Sequence, residues 1–97
     1  LVSIEPASVS ATFDAVEKTM ADMSALVTLR QKSALEALVE AKTADGRKIR
    51  VTMKRKDYRE TRIKIRIGKV GHRDFSMVVL EKVRIHLGVD SSKYFKK

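Results

Sequence analysis

The sequence predicts an α+β fold: a two-layer sandwich in the order β-α-β-β-β-β-α, with an antiparallel sheet carrying two helices on one face. Three observations predict it. Apolar residues recur at helical spacing in only two stretches, one near each end of the chain. Elsewhere they alternate with polar residues at period two, in short runs separated by turn residues. At 97 residues, 43% of them apolar, the chain suits one domain with one core, spanning residues 1–97. Four short strands with one apolar face each, and two helices with one apolar stripe each, bury all of these most simply as helices on one side of the sheet and water on the other.

Leu1–Glu5 has the alternation of a strand, with Val2 and Ile4 on one side, and Pro6 stops it. Ser8 is then a good N-cap, its hydroxyl able to accept from a free backbone N–H of the first turn. Val9, Phe13, Val16, Met20 and Met23 follow in steps of four, three, four and three, a single helical stripe. After Ser24 the period drops to two: Ala25, Val27 and Leu29 alternate with Leu26, Thr28 and Arg30. A break near Gln31–Ala34 precedes a strand with Leu35, Ala37, Val39 and Ala41 facing one way and Glu36, Leu38, Glu40 and Lys42 the other. Ala37 and Ala41 also suit a helix over Ser33–Lys42, and this alternative stays open.

Asp45-Gly46 is a strong hairpin signal, since glycine accepts the positive φ that such turns demand. Ile49, Val51 and Met53 then alternate with Lys48, Arg50, Thr52 and Lys54. Arg55–Arg59 reads as a polar loop around Asp57 and Tyr58. Thr61–Ile67 has the cleanest alternation of all, Ile63, Ile65 and Ile67 against Arg62, Lys64 and Arg66. Gly68 and Gly71 break this strand ahead of a helix over His72–Leu87, whose stripe is Ser76, Val79, Leu80, Val83 and Leu87 with Phe75 at its border. Gly88 fits a C-terminal cap, and the tail Val89–Lys97 is expected to fray.

The charge is concentrated. Twelve basic residues lie between Arg47 and Arg73, opposed only by Asp57 and Glu60, so this stretch accounts for the whole of the net charge of +9. With the isoleucine faces inward, period two turns Lys48, Arg50, Lys54, Arg62, Lys64 and Arg66 outward on two adjacent strands. Together with Arg55, Lys56 and Arg59 in the loop they form a candidate site for an anionic partner: an anionic surface or an acidic protein, or alternatively nucleic acid. Glu36 and Glu40 are placed to pair with Arg50 or Lys48 across the hairpin. Nucleic acid has the electrostatics but lacks the stacking platform, because Phe13 and Phe75 fall in or beside core stripes, Tyr58 in a loop, and Tyr94 and Phe95 in the tail.

Enzymatic chemistry is not expected. Zero cysteines remove thiolate metal sites and cysteine nucleophiles. His72 and His86 stand near opposite ends of one helix, too far apart to share a metal. Gly68 and Gly71 lack a phosphate-loop fingerprint, and Ser76 has no His and Asp partners for a triad. Glu36 and Glu40 sit among arginines that favour the charged form, which makes them poor acids. No catalytic residue, metal or cofactor is therefore expected. No apolar run approaches the ~20 residues of a membrane span.

Ala44-Asp45-Gly46-Arg47-Lys48-Ile49, then Thr61-Arg62-Ile63-Lys64-Ile65-Arg66-Ile67-Gly68, then Gly71 and Ser76 with Val79-Leu80-Glu81-Lys82-Val83, resemble a family of small bacterial lipoproteins of unknown function. The Ser8–Met23 helix matches that family's first helix in position, while His72 replaces its usual acidic residue after the glycine. The resemblance implies a bacterial periplasmic or membrane-anchored envelope location, with the cytoplasm as alternative, a lipid anchor upstream of Leu1, and no assigned activity. Opening on Leu1 rather than methionine, the chain is expected to be a processed or trimmed product. Its element order is also similar to a half-repeat of the TATA-box-binding protein, in topology alone, since the intercalating phenylalanines of that family have no counterpart.

Overall fold

The computed structural model describes residues 1–68 and 73–88. The expected tail, His72, Lys69 and Gly71 lie outside the described residues. Seven elements follow in the expected order: β1 (Val2–Glu5), α1 (Val9–Asp22), β2 (Leu26–Lys32), β3 (Glu36–Lys42), β4 (Lys48–Asp57), β5 (Glu60–Ile67) and α2 (Arg73–Leu87). The five strands form one antiparallel sheet in the order β1-β5-β4-β3-β2. The segment that could have been a helix is therefore strand β3, with Ala37, Val39 and Ala41 buried in the core.

Ser8 caps α1, its Oγ accepting from the Ala11 N–H at 3.1 Å. The other end closes by the Schellman pattern, with the Ala25 N–H donating to the Met20 carbonyl and the Ser24 N–H to that of Ala21. This puts Ser24 at φ 55°, in the left-handed region, although it carries a Cβ. Ser24→Gly is accordingly expected to stabilise the protein by about 0.5–1 kcal/mol, measured as a higher urea midpoint at unchanged slope. The β3–β4 connection is longer than the two-residue turn that Asp45-Gly46 suggests. It runs over Thr43–Arg47, with Gly46 at φ 89° and its N–H donating to the Thr43 carbonyl. The Thr43 hydroxyl donates to the Asp45 carboxylate, and chiefly for that reason the carboxyl stays below its usual range.

The core lies between sheet and helices. Val9, Phe13, Val16 and Met20 of α1 and Val79, Leu80 and Val83 of α2 meet Val39, Ile49, Val51, Met53, Ile63, Ile65 and Ile67. α1 lies over β3 and β4, α2 over β5, and the helices touch each other. Thr12 and Thr19, buried on the inner face of α1, donate to the carbonyls four residues back, each at 2.8 Å.

Two local expectations are corrected by the structure. First, Arg55 and Lys56 are not in a loop. β4 continues to Asp57, Arg55 pairs with Thr61, and a bulge lets Asp57 pair with Glu60. Backbone pairing does not depend on side-chain polarity, and the Arg55 N–H also donates to the Leu35 carbonyl at 2.8 Å. Only Tyr58 and Arg59 remain in the turn. Second, Ala25, Val27 and Leu29 do not share a face. A bulge between Val27 and Leu29 shifts the phase of β2, so Leu29 lies opposite the outward Glu40, while Arg30 lies opposite the buried Val39. Arg30 then reaches Glu17 of α1 at 3.0 Å, and the Lys32 ammonium stands over the Phe13 ring. In β1, Val2 and Ile4 share one side as the alternation suggests, and that side faces solvent, while Ser3 and Glu5 face the helices.

The polar side of β1 is sealed by α2. Arg84, 7% exposed, donates from Nε to Glu5 Oε1 at 3.0 Å and from Nη2 to Ser3 Oγ at 3.0 Å. The Ser3 hydroxyl donates in turn to Glu5 Oε2 at 2.7 Å. Glu5 itself is 1% exposed.

Candidate anion-binding face

The surface opposite the helices is built by alternation. From Ile49 to Met53 in β4 and from Ile63 to Ile67 in β5 every inward position is aliphatic or methionine, so the intervening positions emerge together on the open side. The register sets them in rows. Arg66 stands opposite Arg50, Lys64 opposite Thr52 and Arg62 opposite Lys54. Six of the nine basic residues singled out from the sequence (Lys48, Arg50, Lys54, Arg62, Lys64 and Arg66) therefore share one exposed face and line one open groove of about 800 Å³.

The other three do not join them. Arg55 falls on the helix-side phase opposite Thr61, Lys56 lies at the bulge, and Arg59 sits in the turn with its guanidinium over the Tyr58 ring. Arg47, at the start of the basic stretch, also turns away: it stands over the Phe75 ring and pairs with Asp45 at 3.3 Å. A run of charge in the sequence thus divides in space, because strand phase and turn geometry send neighbours to different sides.

The structure adds residues that charge counting alone passes over. Lys42 of β3 lies opposite Lys48 and lines the groove. Thr52 sits at the middle of the face, half-buried among the cations. Its signal in the sequence is slight, one uncharged position in an otherwise basic alternation. On the flank, Glu40 pairs with Arg50 at 3.5 Å, as the hairpin alternation suggests, whereas Glu36 stands opposite Lys54 rather than Lys48. The carboxylates thus offset the β4 side more than the β5 side. Aliphatic residues frame the cations, with Val2 and Ile4 opposite Lys64 and Arg62 at one edge and Leu38, Leu29 and Leu26 toward the other.

Among the described residues no group of three or more His, Asp or Glu side chains is arranged to hold a metal ion. His86 contacts Asp22 across the ends of the two helices, away from the groove. No helix among the described residues is long and apolar enough to cross a membrane.

Compared with known protein families, residues 3–85 match the one described as "Protein of unknown function (DUF3568)". The chain belongs to the DUF3568 family. The match runs from within β1 into the last turn of α2, so the DUF3568 unit includes β2–β5 entire, most of β1, and with them the basic face. A comparison with curated proteins finds no match.

Proposed function

We propose that this DUF3568 chain is a non-catalytic binding module that holds an anionic partner against the open face of its sheet. The observation that carries the reading is the shared orientation of Lys48, Arg50, Lys54, Arg62, Lys64 and Arg66 on one groove, where Glu40 pairs with Arg50. Like charges opposite one another in a sheet repel by a few tenths of a kcal/mol each. A face kept basic at that cost is suited to a counter-charge supplied from outside. Its location in the bacterial cell envelope, behind an upstream lipid anchor, is supported by the resemblance of the glycine hairpin and the Thr61–Gly68 strand to small lipoproteins.

The test is charge reversal. Arg62→Glu, Lys64→Glu and Arg66→Glu together are expected to abolish sedimentation with anionic vesicles at low salt and to leave the fold intact, since all three are exposed. Unchanged sedimentation would refute the reading. The same titration with duplex DNA separates the rival module: a nucleic-acid binder would lose affinity with a log–log salt slope of about −0.9 per phosphate neutralised. Among the described residues no aromatic side chain lines the groove, which speaks against that rival.

A further inference from the structure

Thr52 is the odd residue of the basic face. The protein has six threonines. Five of them use their hydroxyls internally: Thr12, Thr19, Thr28 and Thr61 donate to backbone carbonyls and Thr43 to a carboxylate. Thr52 alone has no such partner among the described residues. It is also the short side chain at the centre of a ring of long ones. Lys64 lies directly across from it, Arg50 and Lys54 are its same-face neighbours along β4, and Arg62 and Arg66 are its diagonal neighbours on β5. Sheet geometry sets these neighbours at about 5 Å across and about 7–8 Å along and diagonally, measured between Cβ atoms. The result is a socket with a hydroxyl on its floor and five cations on its rim, while on the β3 side Leu38 lies directly across from Thr52, with Glu40, paired to Arg50, and Glu36 as its diagonal neighbours.

We propose that this socket is a specific site for a ligand bearing two or more closely spaced phosphate groups, seated on the Thr52 hydroxyl. This rests on the reading of the open face as anion-binding and names the ligand class and its centre. Charge density selects the ligand. An extended acidic peptide presents carboxylates on one face only every ~7 Å, which matches the cations along one strand and leaves those across from it unmatched. A single phosphate neutralises at most two of the five. Linked phosphates place several charges within the socket, and arginine forks suit phosphate oxygens in pairs. The hydroxyl donates to an oxygen that no cation needs to cover.

The experiment is calorimetric titration at fixed low ionic strength with pyrophosphate and with orthophosphate. A parallel arm uses vesicles of cardiolipin against phosphatidylglycerol at matched total charge. Pyrophosphate is expected to bind at least tenfold more tightly than orthophosphate. Thr52→Val, which keeps a β-branched residue on the strand, is expected to weaken pyrophosphate about tenfold or more with an unchanged salt slope, the loss typical of a hydrogen bond to a charged group. Thr52→Ser should restore binding. Preference for cardiolipin would identify a lipid headgroup as the source, and binding of pyrophosphate alone a soluble ligand. Equal affinity for both phosphates, with Thr52→Val indistinguishable from the parent protein, would overturn the socket while leaving a general basic surface in place. Binding of no anion at all would overturn both.

Discussion

Glu5→Leu is expected to destabilise the protein by about 3–5 kcal/mol, the usual cost of leaving one member of a buried ion pair without the other. For a chain of this length that lowers the melting temperature by roughly 12–25 °C. Glu5 meets Arg84 from a strand at one edge of the sheet, and the guanidinium, 7% exposed, reaches across from α2. Arg84→Leu should cost a similar amount, because the carboxylate then stays buried without its cation. The double variant Glu5→Leu/Arg84→Leu is expected to recover most of the loss, since an apolar pair of similar volume needs no desolvation of charge. Thermal melts of the four proteins make a double-mutant cycle. If Glu5→Leu costs less than about 1 kcal/mol, or the double variant is no better than the singles, the pair does not hold β1 to α2 in the way described. The network also fixes which side of β1 turns inward, and so which side of the sheet receives Val2 and Ile4.

Ile65→Lys is expected to unfold the protein outright. Ile65 is 2% exposed on β5, between β1 and β4, and the buried carboxylate of Glu5 on β1 lies farther along, opposite Thr61, and is already held by Arg84. The substitution removes an aliphatic side chain worth about 1.5–3 kcal/mol of burial and inserts an unpaired charge costing several more. Together these approach the 5–15 kcal/mol by which small domains are stable at all. The measurement is a urea titration followed by circular dichroism, with loss of the cooperative transition expected. Lys64→Ile, one residue away on the open face, is expected to shift the midpoint only slightly. Reversal of that order would mean that β5 presents its lysine and arginines to the helices and its isoleucines to water.

The two helices, the five strands and the inward isoleucines were legible in the sequence because each is a local pattern. Periods of 3.6 and 2 are properties of neighbouring residues, and so are a serine N-cap and a glycine turn. The basic face followed from the same alternation, once the apolar side of β4 and β5 was taken as the buried one. For those strands that choice was safe: isoleucine and arginine differ so much in transfer free energy that only one side can turn inward.

What the sequence could not show was decided over long separations. Val2 and Ile4 look like the buried side of β1, yet Ser3 and Glu5 take that place because Arg84, 79 residues from Glu5 along the chain, supplies the counter-charge. The bulge in β2 that sends Leu29 outward and Arg30 toward Glu17 is set by pairing with β3, and no single residue announces it. The open face divides in the same way between the two sources. By itself the sequence determined that Arg62, Lys64 and Arg66 lie together, because one strand suffices to align them. Only the tertiary structure decided that Arg50 and Lys54 complete a ring with them around Thr52 and that Arg47 and Arg55 turn elsewhere. The physical reason is that a ring needs two strands in a particular register, and register is fixed by the packing of the opposite face against the helices.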